Sequence, residues 1–530
     1  MRRIVTTAVA LALMGGAALS APAVAADQAG DNSRPAGPGS VSVPSPAEAL
    51  EMVPEPALPE FGEVTPSEAL ATARRVMTGN ALPRDPSATL ALRDLWLSKT
   101  DLRGSERRMA DRLLARPTDG VGDPQGFGYT VPEAAPICNT RLCIHYVATG
   151  ADAPPSPEWP ATNLAVMDAV WSQEVDGFGY RAPLTDGVKG GNALFDVYLK
   201  DLGGDIYGFC AGETRVKKRT GSGYCVLDND FAAAQFPTGT PTDNLTVTAA
   251  HEFFHAIQYA YDYNEDPWMM ESTATWMEER IATAVNDNRQ YFPWSQIYAP
   301  YVPLDVFSRD QGFQYGNWVF WEYLSAKYGV GIVKKVWDQA GSLKKDGGKY
   351  SLTALQKVLK KKGGFGKVYA RYAAGNLTPA ANFPEGAEYP FPKVRGGKKL
   401  SKNKRTKRFR TKVDHLSSAS YVYVPGKGLG GKKWKLAVAV NGPVKATSPY
   451  AVVVVHLANG KRQTKLVKLN RGGDGRKKVT FDNKRVSAVS VTLVNASTRY
   501  ACGKKTVLAC QGKPQDDDER FSVVGSVVKR

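Results

Sequence analysis

The sequence predicts an α+β protein built as a helical N-terminal region, a mixed core that passes into helices, and an all-β C-terminal region. Three observations predict it. Apolar residues recur at helical spacing within 67–114 and again through 245–340. Between these blocks lie strand-length apolar runs at 143–147 and 193–199. After residue 398, short β-rich runs separated by turn residues take over. With 530 residues, 43% hydrophobic and 23% charged, the chain can bury a sizeable core. That composition excludes a wholly disordered protein, a collagen, a coiled coil and a polytopic membrane protein.

The elements follow in order. Arg2 and Arg3, an apolar run over 4–19 and Ala23-Val24-Ala25 read as a signal peptide over 1–25, so the mature chain is expected to be secreted and extracellular. The run is shorter than the ~20 residues a membrane span needs. No other stretch is long enough to cross; 452–455 is strand-sized. Residues 26–60, rich in Pro, Ala, Gly and Ser, read as a flexible leader. Region 61–130 carries helical stretches at 69–76, 90–97 and 109–114 with Pro and Gly between them. It is either an inhibitory propeptide or an accessory subdomain that is never removed. The domain expected over 131–395 has strands at 143–147 and 193–199, an amphipathic helix at 164–175, and then helices. Over 398–530, runs at 420–424, 434–440, 450–456, 489–494 and 521–528 predict a sandwich-like β domain.

Charge is unevenly divided. Residues 398–530 hold 31 Lys/Arg against 7 Asp/Glu, whereas the rest of the chain holds 38 against 44. The basic excess suggests attraction to a polyanion such as an anionic cell-wall polymer, or else a solvated Lys-rich surface. Nothing points to specific nucleic-acid recognition. Six cysteines fall in three close pairs, Cys138/Cys143, Cys210/Cys225 and Cys502/Cys510. In an oxidising compartment neighbour pairing into three disulfides is expected, among 15 possible connectivities.

The most informative stretch is His251-Glu252-Phe-Phe-His255, an HExxH motif on a predicted helix with Asp243 or Asn244 available as N-cap. Histidines at i and i+4 share one helical face, so both can reach one Zn²⁺. Glu252, turned about 100° around the helix, can act on a water without ligating the metal. The third ligand required of a catalytic zinc is not the metzincin histidine, since Gln258 and Tyr261 stand where that class needs Gly and His. Instead a polar turn over 262–267 leads into Trp268-Met-Met-Glu271-Ser-Thr-Ala274, and such a hairpin can bring Glu271 back against the histidines.

These residues resemble the gluzincin metallopeptidases, and "WMMESTATWMEE" is similar to the segment around the third ligand in the membrane alanyl aminopeptidase family. The resemblance implies a zincin-like catalytic domain with a helical C-terminal subdomain, Zn²⁺ held by His251, His255 and Glu271, and Glu252 as general base. Only 15 residues separate His255 from Glu271, fewer than in that family, which keeps Glu278 open as an alternative ligand. Tyr315-Gly316, 44 positions after Glu271, resembles the tyrosine that stabilises the oxyanion there. The aminopeptidase G-x-M-E-N signature is absent, with Gly191-Asn192 only loosely in its place, so an endopeptidase acting on protein or peptide is expected. The features over about 138–336 are similar to a family of secreted actinobacterial metalloproteases of gluzincin type. The alternative is a catalytically silent zincin-like protein that binds wall or polyanion.

Overall fold

The computed structural model describes residues 65–78, 87–120, 127–309, 311–341 and 349–529. The expected signal peptide and leader lie outside the described residues.

Helices α1 (Pro66–Met77), α2 (Ala88–Ser98) and α3 (Gly104–Leu113) come first. α1 opens on a capping box, Thr65 with Glu68, and has Pro66 in its first turn. The next elements are β1 (Ile137–Cys138), β2 (Leu142–His145), α4 (Trp159–Trp171), β3 (Phe195–Lys200), β4 (Gly208–Lys217) and β5 (Thr220–Asp228). They form one mixed sheet in the order β1-β2-β3-β5-β4. β2, β3 and β5 are parallel, and the two edge strands β1 and β4 run antiparallel to their neighbours. The expected helix at 164–175 instead begins at Trp159 and passes into a π-helical turn, Ser172–Gly177.

The β4–β5 hairpin has no counterpart among the strands expected from sequence. Its glycines weaken the strand signal, and the structure shows what two of them do. A Cβ on Gly212 would lie 2.4 Å from the Trp96 ring, and one on Gly221 2.6 Å from it. The bare backbone is the seat of an indole from α2.

Among the described residues, seven α-helices follow: α5 (Pro241–Tyr261), α6 (Pro267–Ile281), α7 (Phe313–Gly316), α8 (Trp318–Tyr328), α9 (Gly331–Ala340), α10 (Ser351–Leu359) and α11 (Phe365–Gly375). α5 lies across the sheet, with the Phe253 ring 5.4 Å from that of Phe195. The N-cap of α5 is Thr240, not Asp243 or Asn244. With Pro241 starting the helix, Asp243 falls at the third position and closes a capping box back onto Thr240.

The C-terminal region is all β: β6 (Gly396–Leu400), β7 (Thr406–Val413), β8 (Ser417–Pro425), β9 (Trp434–Asn441), β10 (Pro449–Leu457), β11 (Arg462–Leu466), β12 (Asp474–Thr480), β13 (Val486–Asn495), β14 (Tyr500–Ala501), β15 (Lys513–Pro514) and β16 (Glu519–Lys529). Two sheets, β11-β10-β13-β8-β6 and β12-β9-β16-β7, enclose a core of Tyr423, Val453, Val491, Leu436, Val440 and Val523. Alternation along β10 divides its valines between two cores. Val453 and Val455 face the second sheet, while Val452 and Val454 join the helical core, as do Leu416 and Val494.

Polar contacts reinforce this junction. The Leu416 carbonyl accepts from the Leu304 amide at 2.9 Å, Gln296 Nε2 at 2.8 Å and the Tyr369 hydroxyl. His415 is held between Asp305 (Nε2–Oδ1 2.9 Å) and Asp517 (Nδ1–Oδ1 2.6 Å). All three neighbouring cysteine pairs are disulfides, with Cα–Cα distances of 4.1, 4.0 and 5.4 Å. Among the described residues no helix is long and apolar enough to cross a membrane.

Candidate metal centre

α5 and α6 form the hairpin that builds the site. Asp262, which ends α5, is bonded by Arg219 Nε at 2.5 Å, and Pro267 restarts the chain as α6. Glu271, one turn into α6, thereby returns to the histidine face. Its Oε2 lies 3.2 Å from His251 Nε2 and 3.6 Å from His255 Nε2. The three ligand atoms all lie within 4.8 Å of one another. Ligands at ~2.0–2.1 Å around a tetrahedral ion stand roughly 3.3 Å apart, and the two separations from Glu271 already have nearly that spacing.

The remaining ring nitrogens are engaged elsewhere. His251 Nδ1 meets Glu278 Oε1 at 2.6 Å, and His255 Nδ1 meets Gln258 Oε1 at 2.8 Å. The Gln258 amide is itself fixed, because its Nε2 donates to the Met270 carbonyl at 2.9 Å and to Thr273 Oγ1 at 3.3 Å. Both imidazoles are thus turned so that Nε2 faces Glu271, with an acceptor behind each ring. Glu278 meets the outer nitrogen of His251 and so orients that ring. His255 Nε2 and Glu271 Oε1 are buried with no hydrogen-bond partner among the described residues. Orphaned acceptors of this kind, on a His₂Glu donor set, fit a zinc ion.

The electrostatics agree with this fit. Burial would raise the Glu271 carboxyl, but the His255 and His251 imidazoles hold it down to about 2. Burial opposes protonation of His251, yet Glu271 and Glu278 push its imidazole well above the usual histidine range. Burial pushes Glu278 up to about 7 despite His251 beside it. Without an ion, a proton on His251 supplies the positive charge that the carboxylates demand.

Glu252, only 6% exposed, accepts from Thr89 Oγ1 at 2.7 Å. The same hydroxyl accepts from the Cys210 amide at 2.8 Å. Tyr315 is placed beside the cluster, its ring 6.1 Å from that of His251 and stacked on Tyr291 at 4.9 Å. A Cβ on Gly316 would lie 2.6 Å from the Trp294 backbone, so the Tyr-Gly pair lets α7 close onto the 294–295 segment and carry Tyr315 inward. Thr89 carries no local signal in the sequence, because it is 163 residues from its partner. Glu174, in the π-helical turn, was also unanticipated. It is buried with both carboxylate oxygens unpartnered among the described residues, and burial raises its pKa well above normal.

A second cluster, Cys143, His145 and Asp196, has metal-ligand proximity. Cys143 is spent in a disulfide with Cys138, and both oxygens of Asp196 are taken by His145 and Arg116. It reads as a buried ion network.

A family model described as "Family of unknown function (DUF6055)" matches residues 219–359, which include both site helices. No curated protein matches. The similar solved structures include Legionella pneumophila aminopeptidase A in complex with aspartic acid, 9% identical, with a TM-score of 0.33, covering 69% of this chain and 37% of that one. A pre-peptidase C-terminal domain of collagenase from Bacillus anthracis is 7% identical with a TM-score of 0.15, covering 25% of this chain and 94% of that one. A family 16 carbohydrate-binding module is 17% identical with a TM-score of 0.13, covering 23% and 76%. These likenesses are too remote to assign fold or function.

Proposed function

We propose that the protein is a secreted zinc-dependent endopeptidase of gluzincin type, with His251, His255 and Glu271 as the metal ligands. The observation that carries the reading is the convergence of two histidine Nε2 atoms on one buried Glu271 oxygen, at 3.2 and 3.6 Å, with Glu252 between the histidines in sequence. Held by His251, His255 and Glu271, a zinc ion would supply a Lewis acid that lowers the pKa of a bound water towards ~7 and polarises a scissile carbonyl. Glu252 accepts the water's proton and returns it to the leaving amine, so no free acid or base is required at neutral pH. Tyr315 donates its hydroxyl towards the developing oxyanion, a type of contact worth roughly 2.7–4 kcal/mol. Glu278 and Gln258 keep the rings from turning. Hydrolysis of casein that stops with a chelator and returns with Zn²⁺ supports the reading; a purified chain that binds no zinc refutes it.

A second reading, the binding of an anionic wall polymer, is favoured by a different observation. A cleft of about 510 Å³ between α8/α11 and β10/β11 is lined by Lys327, Arg371 and Arg462 and by no carboxylate. None of the three has an ion-pair partner among the described residues, and burial lowers the pKa of Arg462. Retention on purified cell wall should weaken with salt as the Debye length falls from ~10 Å at 0.1 M to ~3 Å at 1 M. It should also weaken on Arg371→Ala/Arg462→Ala, and unchanged retention counts against the cleft.

A further inference from the structure

We propose that the described residues 65–78 and 87–120 form an occluding segment, in which Thr89 on α2 holds the place between Glu252 and the open edge of β4 that a substrate would take. The proposal rests on the peptidase reading and names what regulates its site.

β4 is the outermost strand of its sheet, and Cys210 sits where both backbone groups point away from β5. Its pair with Cys225 has a Cα–Cα distance of 4.0 Å, the close spacing of a non-hydrogen-bonded antiparallel pair. An edge strand with outward amide and carbonyl groups is a template for an incoming extended peptide. Here that edge is capped. The amide donates to Thr89, and the carbonyl accepts from the Tyr259 hydroxyl at 3.2 Å. Thr89 then donates to Glu252, so a single hydroxyl satisfies the strand edge and engages the general base.

Most of the site is covered: Glu252 is 6% exposed, His255 0%, Glu271 1% and Tyr315 2%, while the His251 side chain keeps 12% of its surface open. α2 is no substrate in this position. Its backbone is helical, so its carbonyls are bonded within the helix and no extended peptide is offered to the metal ligands.

The docking is specific. Trp96 fills the seat left by Gly212 and Gly221. Buried Arg93 donates to the Glu265 carbonyl at 3.0 Å and contacts Met270 Sδ, next to Glu271. From the other side Arg309 bonds Ser87 Oγ at 3.1 Å and Asp94 Oδ2 at 3.2 Å. Just beyond α3, Arg116 is tied to Asp186, Asp196 and Glu213. Opening the site therefore requires severing the segment from the domain that follows it.

The test uses the full chain with a recognition sequence for a specific protease inserted between α3 and β1. Two rates are followed before and after cleavage: removal of zinc by dipicolinate, and hydrolysis of an internally quenched peptide. Both should rise at least tenfold on cleavage, and a peptide of residues 65–120 added back should reverse the rise. Trp96→Ala in the uncut chain should move both rates in the same direction. Faster zinc removal that the added peptide reverses, without hydrolysis in either form, would retain the occlusion and sink the peptidase reading. The proposal is overturned if the cleaved chain unfolds by circular dichroism, if its zinc removal is unchanged, or if its hydrolysis falls. Each of those results would make α2 a permanent wall of the site.

Discussion

Raising the pH should loosen the junction between the helices and the β sandwich through a single residue, His415. Burial alone would lower its pKa, but Asp305 and then Asp517 raise it to about 10, against about 6.5 for a free imidazole. A rise of roughly 3.5 units corresponds to about 5 kcal/mol of folded-state stabilisation as an upper estimate. The folded pKa lies above the unfolded one, so the contribution is complete below about pH 6.5. It declines by about 1.4 kcal/mol per pH unit and is gone above about pH 10. Other groups titrate in the same window, including Glu279, which burial pushes up to about 7, whereas burial and Asp305, to which it donates at 2.7 Å, hold the Tyr500 hydroxyl well above the usual tyrosine range. The measurement is therefore a difference: urea midpoints of wild type and His415→Asn from pH 6 to 10.5. Wild type should lose its advantage across that window and the two curves should converge at the alkaline end. Parallel curves would refute the claim that a charged His415 holds the junction.

Two further outcomes follow from the geometry. Gln258→Leu frees the His255 ring to turn and should weaken zinc 10–100-fold in competition with a chelating dye, while leaving the melting temperature of the metal-free chain within a few degrees. Deleting 398–530 strips Val452, Val454, Leu416 and Val494 from the helical core; losses of this kind cost about 2–5 kcal/mol for each large side chain. The truncation should be insoluble, and a soluble chain with normal zinc content would show that the helices do not depend on the sandwich.

The strands that could be read from the sequence share one property. Those expected at 420–424, 434–440, 450–456, 489–494 and 521–528 correspond to β8, β9, β10, β13 and β16, the interior strands of the two sheets. The four strands of these two sheets that were missed, β6, β7, β11 and β12, are the sheet edges, and the two-residue strands β14 and β15 were missed as well. The four edge strands carry 11 of the 31 Lys/Arg of residues 398–530. Cationic edges discourage strand addition, so the charge run read as a polyanion attractant is in part the outer rim of a sandwich. The β4–β5 hairpin was illegible for another reason: its glycines serve Trp96, a partner remote in sequence. At the candidate metal centre, His251, Glu252 and His255 were legible because one helix sets their spacing, and Glu271 because it lies on the next helix. Thr89 was not, since only tertiary packing brings α2 to Glu252.

The central claim is that His251, His255 and Glu271 hold a zinc ion on which Glu252 acts. The most direct measurement is zinc per chain and peptide hydrolysis in wild type, Glu252→Gln and Glu271→Gln, with the occluding segment severed. The account predicts about one zinc in wild type and in Glu252→Gln, hydrolysis reduced by at least 10²-fold in the latter, and loss of zinc in Glu271→Gln. Full hydrolysis by Glu252→Gln, or stoichiometric zinc in Glu271→Gln, would contradict it.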